Sequence, residues 1–551
     1  MEQLSSTAKP TLVRIPTGIV GFDEITGGGL PRDRNSLVVG GPGTGKTVFC
    51  LQVLANNARD RNISGIFAAF EENSDQIIAN ASSFGWALDN LVQQNKLYFI
   101  DAHLTADVVH NGNFDLTGML ASIEAKAKEM DAKLVVFDSL DLLLSILNDR
   151  IAERRECYRL RDWLRNSGLT GILTARDDSS VVTSLLTEFY SFAEATTFMA
   201  DCVVELKQRL VERVATRNLH VVKFRGAQFD ENEYPFVISS DGIDVASHTP
   251  EEPEQRVPVE RVSCGIESLD ALLGGGYFRG ASTLITGAPG TAKSTLAGAF
   301  AEAACMRGES TLYVSFDQKA SALVRSLKSV AIDLAPHVAS GTLVMYAGHT
   351  AVCKVEEHLV RLIKLMRRHN SRCLVIDPLS APFRTEGLVA GFSVAEQLMH
   401  FAWLRGITVV CTSLARGTEP LHEGSVAQIS SIADTWIHLS YLVQTGEYNR
   451  ELTVIKSRGT RHAKNVHELI LSDDGVKVAD VYTAGGEVLM GSMRHDIESA
   501  VERKQDLMLE LESRRKELAR LMTDQYALEE KLAALQRNLN TVLVGDKGPA
   551  I

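Results

Sequence analysis

The sequence predicts an α/β protein made of two tandem domains and a long C-terminal helix. Its 551 residues exceed what one hydrophobic core usually serves, and the first half of the chain recurs in the second. Within the first half, β-rich runs at 36–39, 66–70, 134–137 and 170–173 alternate with amphipathic helical stretches. This alternation favours a mainly parallel sheet with helices on both of its faces.

The repeat is an internal duplication. Residues 17–23 match 264–270 at a shift of 247, and 40–47 match 287–294 at the same shift, without an insertion between them. Later landmarks keep their order while the shift changes. A segment rich in proline and acid separates the copies, as an exposed linker would. The predicted divisions are an N-terminal tail at 1–11, a first domain at 12–247, a linker at 248–258, a second domain at 259–487, a coiled coil at 490–543 and a tail at 544–551.

Composition disfavours several classes of protein. The chain is 45% hydrophobic and 23% charged, without an apolar run long enough to span a membrane. Its formal charge of −12 argues against a nucleic-acid-binding surface, and its eight cysteines contain no C-x-x-C pair, so reduced buried thiols are expected. The first 16 residues resemble no export signal, so the cytoplasm is the expected location.

The first copy carries a complete phosphate-binding loop, G-x-x-x-x-G-K-T, at 40–47, between an apolar strand and a helix. Its glycines let backbone N–H groups surround phosphate oxygens, Lys46 neutralises the outer phosphates, and Thr47 presents its hydroxyl to Mg²⁺. The alternative is a chance turn, which the strand-to-helix setting disfavours.

The second loop, at 287–294, keeps Lys293 and Ser294 but has Ala292 where the pattern requires glycine. If the backbone there needs a positive φ, the methyl group costs about 1 kcal/mol. Nucleotide binding is expected, and a degenerate site, permanently loaded or empty, is the alternative.

Each copy then has an apolar strand that ends in an acid, Asp138 or Asp377, a position that organises Mg²⁺ and its waters in such folds. The predicted metal ligands are Thr47 and Ser294. The predicted ATP-binding residues are Gly41, Gly43, Thr44, Gly45, Lys46, Thr47 and Asp138 in the first copy, and Gly290, Thr291, Ala292, Lys293, Ser294, Thr295 and Asp377 in the second.

Hydrolysis needs a carboxylate that orients water, and Glu71 and Glu72, directly after a strand, are the candidates in the first copy. The second copy has Asp317 and Gln318 in the corresponding turn. If these positions do the same work, the first domain hydrolyses ATP better than the second.

Two cations recur two residues apart in both copies: Lys223 with Arg225, and Lys456 with Arg458. On one face of an edge strand, each pair could reach the γ-phosphate of a neighbouring subunit. The alternative is a solvated edge that prevents sheet aggregation.

These motifs together resemble the KaiC family of double-domain ATPases over roughly residues 12–485. Besides the first loop, the resemblance rests on Phe70-Glu71-Glu72, Phe114-Asp115-Leu116, Lys223-Phe224-Arg225-Gly226, Glu233-Tyr234-Pro235-Phe236 and the duplicated opening. It implies tandem RecA-like P-loop NTPase domains, stacked hexameric rings with ATP between protomers, and a KaiB-like partner on the first ring. It further implies slow hydrolysis in the first ring and serine autokinase and autophosphatase activity in the second.

The family's phosphorylated Ser-Thr pair corresponds here to Ser430-Ser431, with Asp317 as the candidate base. Asp317 is shorter than the family's glutamate, so the efficiency of transfer is an open point. Adjacent serines are otherwise unremarkable in sequence.

A 3-4 apolar repeat runs from 493 to 542, interrupted only by Lys504, Arg514 and Gln525. This is typical of a coiled coil. Pairing within a hexamer or between two hexamers stacked tail to tail would bury it, and the second, a dodecamer, is favoured. The segment replaces the tail that receives KaiA in the family, so a KaiA partner is not expected.

Two other readings stay open. One is a DNA-dependent ATPase of the RecA or RadA type, and the other is a scaffold in which nucleotide only holds a ring together. DNA that stimulates turnover would favour the first, and nucleotide binding without phosphate release would favour the second.

Overall fold

The computed structural model describes most of the chain. The described residues are 12–102, 116–145, 150–176, 199–211, 214–247, 260–348, 354–381, 388–415, 433–444, 447–460, 465–484 and 487–545. The predicted linker at 248–258 lies outside them, so the predicted domain divisions stay predictions.

The first half contains one nine-stranded sheet with helices on both faces. Its strands are ordered β5-β4-β6-β7-β3-β8-β9-β10-β11, parallel from β5 to β8 and antiparallel from β8 to β11. The elements in chain order are β1 (Arg14–Ile15), α1 (Val20–Ile25), β2 (Leu30–Pro31), β3 (Asn35–Gly40), α2 (Lys46–Asp60), β4 (Gly65–Ala69), α3 (Ser74–Ala81), α4 (Leu88–Gln93), β5 (Leu97–Asp101), α5 (Leu116–Met130), β6 (Leu134–Asp138), α6 (Leu140–Ser145), α7 (Arg150–Ser167), β7 (Thr170–Ala175), β8 (Cys202–Val211), β9 (Val214–Phe224), β10 (Glu233–Ser239) and β11 (Gly242–Val245).

The second half repeats this sheet strand for strand, in the order β16-β15-β17-β18-β14-β19-β20-β21-β22. Its elements in chain order are β12 (Arg261–Val262), α8 (Glu267–Leu272), β13 (Tyr277–Phe278), β14 (Ser282–Gly287), α9 (Lys293–Met306), β15 (Thr311–Ser315), α10 (Ala320–Lys328), α11 (Ala335–Ser340), β16 (Leu343–Ala347), α12 (Val355–Arg368), β17 (Cys373–Asp377), α13 (Leu388–Leu404), β18 (Thr408–Leu414), β19 (Thr435–Gln444), β20 (Glu447–Ser457), β21 (Val466–Ser472), β22 (Gly475–Asp480), β23 (Tyr482–Ala484), β24 (Glu487–Leu489) and α14 (Ser492–Gly545).

The central strands are apolar because both faces of each sheet are covered. Every residue of β3, β4, β6 and β7 is buried. Successive residues of a strand point to opposite faces of the sheet and pack into different hydrophobic cores. Val38 packs in the cluster that contains Phe49 of α2, whereas Leu37 packs in the cluster that contains Leu160 of α7. The predicted α/β fold with a mainly parallel sheet in each copy is therefore confirmed.

One sequence-based expectation about the sheet holds for only part of a strand. Among the described residues, β9 pairs with β8 along its length but with β10 only at 218–220, so the end that carries Lys223 pairs with β8 alone. The pairing with β8 has a bulge at Val203/Val204, and the strand ends at Phe224, one residue before Arg225. The second copy has the same bulge, at Trp436/Ile437.

The two halves contact each other through α12. Arg367 on this helix donates to both carboxylate oxygens of Glu24 of α1, at 2.8 and 2.6 Å. Lys364, one turn earlier, donates to Asp244 of β11 at 2.7 Å. Ala246, directly after β11, is buried among apolar residues of the second half.

The C-terminal helix α14 is continuous over 54 residues, about 80 Å at 1.5 Å per residue. Its leucines are exposed, for example Leu518 at 62%, Leu528 at 66% and Leu535 at 68%. The predicted helix is confirmed, and its pairing into a coiled coil stays a prediction.

No helix in the part of the chain that the structure describes is long and apolar enough to cross a membrane. The seven described cysteines are free and buried, as expected of reduced thiols.

Candidate nucleotide sites

Each sheet brings its polar residues to the carboxyl ends of its parallel strands. In the first domain, Val39 lies opposite Ala175 and Ala69 lies opposite Asp138, so β3, β4, β6 and β7 end at one edge. The second domain repeats this register. Ligands of open α/β sheets bind at such edges.

The first loop turns sharply between β3 and α2. Gly43 and Gly45 have φ values of 73° and 101°, which favour glycine. A Cβ on Gly45 would lie 2.8 Å from Cδ1 of Ile238, the end of a flexible side chain that would have to shift, so glycine is favoured there mainly by the positive φ. Lys46, the first residue of α2, donates to the carbonyl oxygens of Gly40 and Gly41 at 2.7 and 3.0 Å.

The acid predicted beside the loop is in place. Asp138 is only 8% exposed, and it accepts hydrogen bonds from Thr47 at 2.9 Å and Thr174 at 2.7 Å. Burial raises the pKa of Asp138, and these two hydrogen bonds oppose the rise. A threonine hydroxyl beside a carboxylate is a donor set that fits Mg²⁺, which prefers oxygen ligands.

The structure separates the two predicted glutamates. Glu71 accepts a hydrogen bond from Ser139 at 3.1 Å and from Arg176 at 2.8 Å. Glu72 instead accepts one from Asn80 of α3 at 3.3 Å. Glu71 therefore faces the strand ends, and Glu72 faces the neighbouring helix.

Sequence reasoning missed Ser139 and Arg176. Each directly follows a strand, β6 or β7, that ends at the edge carrying the loop. The available signal was the predicted parallel sheet itself, because residues after its strands meet at one edge.

The second loop has the backbone of the first despite its alanine. Ala292 adopts a φ of 78°, so the strained conformation considered from the sequence does occur. Its methyl group packs against the apolar core of the domain. Lys293 donates to Gly287 and Ala288 at 3.0 and 2.7 Å, and burial lowers its pKa to about 8.

The second acid has different partners. Asp377 accepts hydrogen bonds from Tyr313 at 3.0 Å and from Thr412. The position of Tyr313 in β15 is occupied by Phe67 in β4 of the first domain, so this tyrosine bond is specific to the second copy. Asp317, the candidate base, is exposed.

The recurring cations lie far from the loop of their own domain. Arg225 is level with Asn35 at the start of β3, because the N–H of Arg225 bonds to Asp201 and the N–H of Asp201 bonds to Asn35. The loop starts at Gly40, about 17 Å further along the strand. Arg458 is likewise level with Ser282, at the start of β14.

The cations have local partners at that end of the sheet. Arg225 lies 3.9 Å from Asp201, and Arg458 lies 3.6 Å from Asp434. Lys456 donates to the carbonyl oxygen of Ala433 at 2.7 Å. The proposed acceptors Ser430 and Ser431, and Asp115 of the family motif, lie outside the described residues.

Two phosphate-binding loops, each with a buried acid at the end of a neighbouring parallel strand, define a tandem P-loop ATPase of the RecA-like class. The model of the family described as "ATPase: KaiC" matches residues 15–250 and again 262–482. The chain belongs to the KaiC family.

Named relatives match over most of their length. The chain is 36% identical over 536 residues to "Circadian clock protein KaiC2" of Synechocystis sp., covering 96% of this chain and 92% of the relative. It is 33% identical to "Circadian clock oscillator protein KaiC" of Prochlorococcus marinus subsp. pastoris over 89% of this chain and 96% of the relative. The protein of the same name from Parathermosynechococcus lividus is 33% identical over 86% and 87% of the two chains.

Proposed function

We propose that this protein is a KaiC-like timing ATPase that acts in the cytoplasm and hydrolyses ATP in its first domain. In its second domain it transfers phosphate to, and removes it from, Ser430 and Ser431. The observation that carries this proposal is the asymmetry of two otherwise equivalent sites. Both have the loop lysine, the loop hydroxyl and the buried acid. In the first site Glu71 accepts hydrogen bonds from Arg176 and Ser139, whereas in the second site the shorter Asp317 occupies the position of Glu71.

ATP is held by the predicted residues of each loop, with Lys46 and Lys293 on the outer phosphates. Mg²⁺ would be held by Thr47 and Asp138 in the first site and by Ser294 and Asp377 in the second, where it would neutralise developing charge on the phosphates. Glu71 orients the attacking water, with Glu72 further from it. Asp317 accepts the proton of the serine hydroxyl in the second site.

The four cations act in trans. Lys223 and Arg225, like Lys456 and Arg458, lie at the end of the sheet opposite their own loop, about 17 Å away. An arginine side chain cannot span that distance, so a phosphate that it contacts belongs to another subunit. This supports a closed ring, and the family resemblance favours six subunits.

Two rings join through α14 to form a dodecamer. In a parallel, in-register pair, Lys504 and Arg514 would each face the same residue of the partner, with like charges in the seam. An antiparallel pair avoids this, because Arg514 can then face Gln525 of the second copy. Antiparallel helices come from rings that meet tail to tail, so the charge pattern favours that arrangement.

A KaiB-like protein is the proposed partner of the first ring. A KaiA-like partner is not proposed, because α14 follows the second domain directly. Nucleic acid is not proposed as a partner, given the charge of −12.

The decisive experiment is incubation of the full-length protein with Mg-ATP, followed by intact-mass analysis and phosphopeptide mapping. We expect phosphate on Ser430 or Ser431 and its loss in Lys293→Ala, while Lys46→Ala abolishes most phosphate release into solution. Unmodified serines would refute the kinase activity. Phosphate release that requires DNA would point to the recombinase class instead.

A further inference from the structure

A charged pair at the first site is not accounted for by the loop or the metal ligands. Nη2 of Arg176 lies 2.8 Å from Oε1 of Glu71, and the hydroxyl of Ser139 donates to the other carboxylate oxygen at 3.1 Å. Arg176 directly follows Ala175, which is opposite Val39 in the sheet. Arg176 therefore leaves the sheet beside Gly40, where the phosphate-binding loop starts.

The pair is close enough to the loop lysine to influence it. Burial lowers the pKa of Lys46, and the carboxylates of Asp138 and Asp141 oppose this. Arg176 and Glu71 have smaller effects, the guanidinium lowering the pKa and the carboxylate raising it. The side chains of Arg176 and Glu71 are 40% and 50% exposed, so an incoming ligand can reach both. The phosphate that Lys46 neutralises thus arrives next to an arginine that already holds a carboxylate.

We propose that Arg176 distinguishes ATP from ADP in the first domain by exchanging Glu71 for the γ-phosphate. The inference rests on the proposed function, in which Glu71 orients the attacking water of that domain. A terminal phosphate carries more charge than a carboxylate and offers three oxygens to the planar guanidinium. Once Arg176 moves to the phosphate, Glu71 is released to orient the attacking water. ADP lacks this group and leaves the pair in place.

The second domain provides an internal comparison. Thr286 of the second loop strand is opposite Ser413 as Val39 is opposite Ala175, so Leu414 occupies the position of Arg176. Pro378 likewise replaces Ser139 after the acid, and Asp317 replaces Glu71. Arg176, Glu71 and Ser139 are all replaced, so the described residues of the second domain form no equivalent pair at this place.

If Arg176 and Glu71 formed only a structural ion pair, their mutation would have different effects on nucleotide binding. An exposed pair of this kind contributes little to folding, and its removal would leave the relative affinities for ATP and ADP unchanged. The exchange model instead predicts opposite effects for the two partners. Loss of Arg176 weakens ATP binding, whereas loss of Glu71, which lies closer to Arg176 (2.8 Å) than Asp141 does (3.9 Å), strengthens it.

The test measures dissociation constants of Mg-ADP and of a non-hydrolysable Mg-ATP analogue on the full-length protein, in a Lys293→Ala background that silences the second site. Arg176→Leu, which copies the second domain, should reduce the preference for the ATP analogue about tenfold, with ADP affinity unchanged. Glu71→Gln should increase that preference several-fold. Arg176→Lys should fall between Arg176→Leu and the parent.

An unchanged preference in Arg176→Leu, or a reduced one in Glu71→Gln, would overturn the inference. If Arg176→Leu does not fold, Glu71→Gln and Arg176→Lys still decide it. Lys46→Ala distinguishes a failure of the proposed function from a failure of the exchange. If it leaves nucleotide binding at the first site intact, the proposed function fails, and if it abolishes binding while Arg176→Leu has no effect, only the exchange fails.

Discussion

At the scale of single residues, the two loops differ most clearly at Gly45 and Ala292. Both have a positive φ, but a methyl group at 45 would also lie 2.8 Å from Ile238, whereas the methyl of Ala292 packs into the core. We expect Gly45→Ala to lower the free energy of unfolding by about 2 kcal/mol and to weaken nucleotide binding.

Ala292→Gly is the matched variant, in which removal of the strain offsets the added chain entropy. Its free energy of unfolding should change by less than about 1 kcal/mol. Thermal unfolding with and without Mg-ATP measures both variants. If Gly45→Ala and Ala292→Gly lowered the free energy of unfolding equally, this explanation of the two loops would be wrong.

The second residue-scale prediction concerns Lys293, whose pKa of about 8 is lowered by burial. Phosphate stabilises the charged ammonium, so ATP binding should take up a proton near pH 8.5 and weaken as the pH rises further. Calorimetry in two buffers of different ionisation enthalpy, with Lys46→Ala protein, measures this uptake. Lys293→Arg should abolish it, because arginine stays charged.

The lowered pKa of Lys293 also makes the stability of the nucleotide-free protein depend on pH. Between pH 8 and the ordinary value of 10.5, the folded protein holds fewer protons at Lys293 than the unfolded chain does. The contribution of this residue to stability therefore increases with pH across that window. Denaturation of Lys293→Met protein, which cannot titrate there, should lack this increase.

At the scale of elements, α14 exposes a leucine seam that its own domain does not cover. Leu518 and Leu521 are both 62% exposed. We expect Leu518→Asp with Leu521→Asp to halve the mass of the assembly and to leave ATP turnover in place, as measured by mass photometry. Lys516→Asp, outside the seam, is the control. A full-size assembly in the double variant would exclude pairing through α14.

At the scale of the whole molecule, α12 joins the two domains through the ion pair of Arg367 and Glu24, whose side chains are 18% and 29% exposed. Removing one partner leaves the other poorly solvated. We expect Arg367→Ala to lower stability by about 2 kcal/mol and to split thermal unfolding into two transitions. Arg368→Ala, on an exposed neighbour, should do neither. A single unchanged transition in Arg367→Ala would show that this contact does not couple the domains.

The sequence supported the prediction of the duplicated fold, both loops and both buried acids, because each depends on local patterns. Each of these features is visible in a short run of consecutive residues: the loop glycines and lysines, and the apolar strands that end in Asp138 and Asp377. The edge-strand prediction for β9 holds at Lys223 and fails at 218–220, where β10 pairs with the strand. That pairing depends on where a later strand returns, which local patterns do not encode.

By itself, the sequence determined the two phosphate-binding loops, the alternation that builds each sheet, and the family. Tertiary structure alone decided that Arg176 meets Glu71, that Tyr313 meets Asp377, and that Arg225 lies at the far end of the sheet from its own loop. The physical reason is that loops and amphipathic periods are properties of consecutive residues. Contacts between residues 105 apart, such as Glu71 and Arg176, exist only once parallel strands have aligned their ends.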